Sequence, residues 1–156
     1  MNPLAIAATV PASAAGKQPL FFFGTLLDHD MLARVVGRVV EPASLEPALL
    51  HGFRRECARG LGYPLLVLDA DAAVEGRVLH RARASDIARI NHYESGDYHA
   101  ELHSVVAPSG NYEAWLYRGL DHLAATGEPW ELAIWTAEYK EAFLLRCDSW
   151  MADFPG

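Results

Sequence analysis

An apolar, aromatic run, Leu20-Phe21-Phe22-Phe23, drives directly into Gly24-Thr25, and helical periodicity begins a few residues later. The run is short, aromatic-rich and bounded by Pro19 and Gly24, which predicts a buried strand. Asp28 is a suitable helix N-cap, and Met31, Leu32, Val35 and Val36 give the following helix one apolar face, with Gly37 at its C-terminus. A strand that breaks at Gly24-Thr25-Leu26 and feeds a helix leaves backbone N–H groups without internal partners, and such a turn can hold a carboxylate. An ordinary buried strand and tight turn would read the same way.

The chain has 156 residues, enough for one domain with a substantial core. With 51% hydrophobic and 21% charged residues it reads as globular. Its net charge of -7, with no Lys/Arg-rich stripe, disfavours nucleic acid as a partner. No stretch reaches transmembrane length, so no membrane role is expected. Cys57 and Cys147 form neither a CxxC pattern nor a zinc spacing, and both are expected as buried free thiols in a cytoplasmic, reducing compartment. Residues 1–19 contain an apolar run and Ala12-Ser13-Ala14, which resembles a small-residue cleavage site, but no basic residue precedes it. They are expected to form a poorly ordered tail ahead of a single domain spanning 20–156.

Along the domain, Arg38 to Ala43 reads as extended, and Glu46 to Cys57 as a strand bent at Gly52. Gly60 to Pro64 reads as a loop, Leu65 to Leu68 as a strand turned by Asp69-Ala70-Asp71, and Ala73 to His80 as the next strand. Gly76 there marks a bulge or a close backbone contact. Ser85 caps a short helix ending near Tyr93. Tyr98 to Ala107 is a strand that turns at Pro108-Ser109-Gly110-Asn111 into its partner, Tyr112 to Tyr117. Gly127 to Trp130 reads as a turn. From Thr136 a helix carries Tyr139, Phe143, Cys147, Trp150 and Phe154 on one stripe, as core packing or as a homodimer contact. Strands dominate with short connections, so the fold class is α+β on a mainly antiparallel, barrel-like sheet.

Three groups of residues are candidates for chemistry. His99 and His103 lie four apart in a strand, roughly 13 Å, too far to share one zinc, and no metal is expected. Cys57 and Ser13 lack any nucleophile motif. Glu94 stands at a helix end beside Tyr93 and ahead of Tyr98. A carboxylate there, partly out of water, has a raised pKa and can serve as an acid/base; a solvated loop glutamate is the plainer alternative.

Four short motifs, in order, resemble those of the gamma-glutamylcyclotransferase-like family. They are Phe23-Gly24-Thr25-Leu26, Gly62-Tyr63-Pro64 with Val74-Glu75-Gly76, Ile90-Asn91-His92-Tyr93-Glu94 followed by Tyr98, and Ala114-Trp115-Leu116-Tyr117. The resemblance spans roughly residues 20 to 130. It implies a small mixed β-barrel with flanking helices and a pocket at the barrel mouth. It implies Glu94 as the catalytic acid/base. The substrate-binding residues it implies are Phe23, Gly24, Thr25 and Leu26 in the cradle, with Tyr63 and Tyr98 around it. The implied reaction is intramolecular: the α-amine of a small γ-glutamyl compound attacks its own γ-carbonyl, closing 5-oxoproline and expelling an amine. No cofactor is implied. Phe23 stands where a Tyr is usual, Asn91 where an Asp is usual, and Ala100 where many relatives carry Arg, so an altered pocket rim is expected. Two other readings stay open: a non-catalytic module binding an amino-acid-like ligand, and a subunit that uses Trp130, Trp135 and Trp150 for interaction.

Overall fold

The computed structural model describes residues 2–156. In chain order the elements are β1 (Ala5–Ala7), β2 (Leu20–Phe22), α1 (His29–Val36), β3 (Leu45–Ala58), β4 (Pro64–Leu79), α2 (Ala84–Glu94), β5 (Tyr98–Ala107), β6 (Gly110–Gly119), β7 (Ala125–Pro129), α3 (Leu132–Glu138) and α4 (Lys140–Ala152). The strands are ordered β1-β5-β6-β2-β4-β3-β7, and a β5–β3 pairing closes the inner five into a barrel. Of the barrel's pairings only β2 with β6 is parallel; the others are antiparallel.

Alternation along β2 divides the core. Phe21 and Phe23 point into the barrel with Leu50, Phe53, Val78, Val105 and Leu116. Leu20 and Phe22 point outward, where Met31, Leu32 and Val35 of α1, Ile87 and Ile90 of α2, and Phe143 of α4 cover them. Both faces of β2 are thus buried, which explains its lack of polar residues. The cap predicted for α1 is present: the Asp28 carboxylate accepts the Met31 N–H at 3.0 Å. Gly76 is a close contact, since a Cβ there would lie 2.2 Å from the Phe22 carbonyl oxygen.

Several expectations are corrected. Of the supposed loose tail, Met1 lies outside the described residues, but the rest is docked. Strand β1 pairs with β5, Val10 and Ala14 are buried, and the Asn91 amide clamps Val10, accepting from its N–H at 3.0 Å and donating to its C=O at 2.9 Å. Local composition could not reveal a clamp supplied 81 residues away. Asp69-Ala70-Asp71 does not reverse the chain. The Asp69 side chain accepts the Asp71 N–H, but β4 runs on through the stretch, and residues 69–72 form an irregularity opposite Gly52, where the register shifts from His51–Ala73 to Phe53–Leu68. Pro42–Ser44 is a single 3-10 turn rather than extended chain. Residues 125–129 pair with β3 instead of forming only a turn. Helix α2 starts one residue before Ser85, with the Asp86 carboxylate accepting the Arg83 N–H at 3.0 Å.

The C-terminal helix is broken at Tyr139, which ends α3 and precedes α4. The predicted stripe is therefore divided: Phe143 and Cys147 are buried, while Tyr139 and Trp150 are exposed. Trp130 and Trp135 are buried in the core and leave only Trp150 at the surface. Both cysteines are free, but Cys57 is only partly buried. His99 and His103 share Glu101, whose oxygens lie 2.6 and 2.8 Å from their Nε2 atoms. Among the described residues no helix is long and apolar enough to cross a membrane.

Gly76→Ala is expected to destabilise by about 3 kcal/mol, because the added methyl meets backbone rather than a side chain that can yield. Asp28→Ala, which removes one cap, should cost about 1 kcal/mol. Urea unfolding midpoints of the two variants test this order.

Candidate functional site

Strand β2 ends at Phe22, and the chain leaves the sheet through Phe23 and Gly24 into a 3-10 turn, Thr25–Leu27. The first bond of that turn is donated by Leu27 N–H to the Gly24 carbonyl. The Thr25 and Leu26 amides precede it and have no acceptor within the turn. Gly24 is required sterically: a Cβ would sit 2.9 Å from the Pro64 ring. Thr25 is buried, and its Oγ1 lies 2.6 Å from the Tyr93 hydroxyl. That bond ties the turn to the last residues of α2, one of which is Glu94.

Glu94 is the final residue of α2, where a helix presents carbonyl groups rather than N–H donors. Burial first, and then the negative charge of Asp97, together push its pKa up to about 8. The residue keeps a partial solvent-facing surface, so the acid is removed from bulk water without being sealed in. The hydroxyls of Tyr93, Tyr98 and Tyr117 are raised above the usual phenol range, mainly by burial and also by the Glu94 charge. They remain protonated, and their hydroxyls are engaged with other partners: Tyr98 donates to the Pro64 carbonyl at 3.3 Å, Tyr117 donates to Asn91 Oδ1 at 2.5 Å, and Tyr93 pairs with Thr25.

Two clefts meet at Glu94 and Tyr98. The inner recess, about 40 Å³, is lined by Phe21 to Leu26, Pro64, Glu94, Tyr98 and Tyr117. It holds a small polar group or a few waters. The outer cleft, about 480 Å³, is lined by Tyr63, Tyr93, Glu94, Ser95, Asp97 and Tyr98, and by Phe143, Arg146, Cys147, Ser149, Trp150 and Asp153 of the C-terminal segment. A ligand with a compact head and a larger tail matches this pair of spaces, with Glu94 at the junction.

Of the residues singled out from sequence, Phe23, Gly24, Thr25, Leu26, Glu94 and Tyr98 all border the recess. Tyr63 does not. Its hydroxyl donates to Asp97 at 2.8 Å, and its ring faces the outer cleft, 5.8 Å from the Tyr98 ring centre. The expected altered rim reduces to Phe23. Asn91 is engaged with Val10 and accepts the Tyr117 hydroxyl at 2.5 Å, and Ala100 is buried beneath β1, opposite Ala7. Pro64 and Tyr117 were not singled out for the site, although both stand inside motifs that were. The α4 residues carried no such signal, because only the packing of α4 against α1 and α2 brings them to the cleft.

The family model described as "Gamma-glutamyl cyclotransferase, AIG2-like" matches residues 20–137. Protein AIG2 C of Arabidopsis thaliana is 25% identical over 129 residues, covering 80% of this chain and 76% of its own length. The solution structure of At5g39720.1 from Arabidopsis thaliana superposes with a TM-score of 0.63 at 20% identity, covering 88% of this chain and 92% of that one. A second solution structure from the same plant, At3g28950.1, gives 0.62 at 24% identity over 83% and 78%. The two structures speak to the fold alone.

The raised pKa of Glu94 has a consequence for stability. Unfolded, the group ionises near its ordinary value of 4.5; folded, it ionises near 8. Between these values the unfolded chain releases its proton first, so the carboxylate erodes stability as pH rises and adds no further loss above 8. Glu94→Gln is therefore expected to melt at the same temperature as the parent near pH 4.5 and at a higher one at pH 8.5. Thermal unfolding across that range checks it.

Proposed function

The chain belongs to the gamma-glutamyl cyclotransferase, AIG2-like family, and from that premise we propose that it is an enzyme of the cyclotransferase type. Its substrate is a small γ-glutamyl compound, and its products are 5-oxoproline and the released amine. The observation that carries this reading is the placement of Glu94 and the Gly24–Leu26 turn on one small recess, with the acid's pKa near 8.

The glutamyl head enters the recess, and the amides that start the 3-10 turn bind its α-carboxylate. The rest of the substrate occupies the outer cleft. Nucleophile and carbonyl are already joined by the glutamyl chain, so the site has only to fold the substrate into a ring-closing geometry. The α-amine attacks the γ-carbonyl carbon. Ionised Glu94 takes the proton that the amine nitrogen loses and returns it to the departing nitrogen as the original amide bond breaks. One carboxyl group is enough for both transfers because its pKa lies close to neutral, where it exchanges protons in either direction. The phenols of Tyr98 and Tyr117 stay protonated, donate to the Pro64 carbonyl and to Asn91, and wall the recess as neutral groups. The scheme calls for no cofactor. The two free cysteines suit a cytoplasmic protein.

Incubation with a panel of γ-glutamyl amines, amino acids and peptides is expected to release 5-oxoproline from at least one. With that compound, Glu94→Gln should lower kcat by about 10²–10⁴-fold. The rate of the parent should climb as pH approaches 8, over the range in which Glu94 ionises. Tight binding of an intact γ-glutamyl compound without turnover would instead make the recess a ligand-binding site only, and equal activity in Glu94→Gln would remove the carboxyl from the mechanism.

A further inference from the structure

Arg55 of β3 crosses beneath β4 to reach the point where β2 leaves the barrel. Its Nη1 donates to the Phe23 carbonyl at 2.7 Å and to the Glu75 carbonyl at 3.2 Å. Its guanidinium carbon stands 5.2 Å from the ring centre of Trp130. No carboxylate pairs with it among the described residues; Glu75 and Glu131 act on it only through space, and burial lowers its pKa despite them. Its Nε is buried without a partner. A partly buried cation held by carbonyls is unusual, because desolvation costs it several kcal/mol without an ion pair to offset the loss.

The register explains what it does there. Phe22 pairs with Arg77, so a continued ladder would set Phe23 against Gly76 and Gly24 against Glu75. The chain peels away instead, and the two carbonyls left at the break, Phe23 and Glu75, are the ones Arg55 takes up. The described peptide bonds are all trans. In a trans peptide the C=O and the following N–H point in opposite directions. Fixing the Phe23 carbonyl toward Arg55 therefore turns the Gly24 N–H the other way, and Gly24 lines the recess, whereas Arg55 lines a separate cleft with Glu75 and Gly76.

We propose that Arg55 is a positioning residue for the recess: it locks the Phe23–Gly24 peptide so that the Gly24 N–H faces the bound carboxylate, and its charge, acting through the peptide group, makes that N–H a stronger donor. Hydrogen bonds that share one peptide group polarise each other in this way. The consequence for catalysis rests on the cyclotransferase reading above; the consequence for the peptide does not.

The test uses Arg55→Met, which keeps an apolar stem against Trp130, and Arg55→Lys, which restores a single charged donor. In ¹⁵N-labelled protein without ligand, the Gly24 amide proton is expected to move upfield in Arg55→Met and less so in Arg55→Lys. The Gly110 amide, at the β5–β6 turn, and the Gly16 amide, which is bonded to the Ala82 carbonyl, should stay in place. With a turned-over γ-glutamyl compound, Arg55→Met should raise KM about tenfold, the worth of one hydrogen bond, with a smaller change in kcat and partial rescue in Arg55→Lys. An unmoved Gly24 amide overturns the proposal, as does a KM equal to the parent's. If Arg55→Met does not fold, the Arg55→Lys amide shift decides alone. If the parent turns over no γ-glutamyl compound, the amide shift still judges the role of Arg55, and the proposed reaction is what fails.

Discussion

The ladder between β2 and β4 stops at Phe22–Arg77, and the chain that departs there carries the residues from which the recess is built. Two close approaches fix the departure. Gly76 lets β4 pass against the Phe22 carbonyl, and Gly24 lets the turn pass against Pro64. Two hydrogen bonds then hold it: Arg55 to the Phe23 carbonyl on one side, and the Thr25–Tyr93 pair on the other. The second bond joins the start of the turn to the end of α2, so cradle and acid are set at a defined separation by one contact.

Glu94 illustrates how a fold of this kind generates reactivity. Its carboxyl is buried at the carbonyl end of a helix and near Asp97, and burial and that negative charge both oppose its ionisation. The arrangement reduces stability at neutral pH and is tolerable because the barrel interior and the helix-covered outer face are both well packed. The N-terminal segment takes part in the same construction. Asn91 binds Val10 with both ends of its amide and also receives the Tyr117 hydroxyl, so a residue outside the family-matched span braces a wall of the recess.

What was legible in the sequence follows from local physics. Short aromatic strand, glycine break, capped amphipathic helix and hairpin are each specified by neighbouring residues. Phe21 to Phe23, Asp28, Tyr98 to Ala107 and the Gly110 turn could be assigned for that reason. The errors fall where a distant partner overrides local preference. The Asp69-Ala70-Asp71 stretch has turn chemistry and bulges out of register opposite Gly52, yet the pairing of β4 with β3 on either side keeps the strand from reversing. Residues 125–129 look like a loop and are drawn into pairing by β3. Residues 2–19 have weak local preferences and are tied down by Asn91 and β5.

The sequence by itself determined the types of most elements, the alternation that sends Phe21 and Phe23 one way and Phe22 the other, and the chemical character of Glu94 and the glycine turn, because these depend on spacing and side-chain type. Only the tertiary structure decided that the turn and Glu94 border one recess, that Tyr63 stands outside it, that α4 lines the adjoining cleft, and that Arg55 holds the Phe23 carbonyl. Barrel closure brings together residues tens of positions apart, and their separation in space is set by packing and register, which no short window of sequence contains.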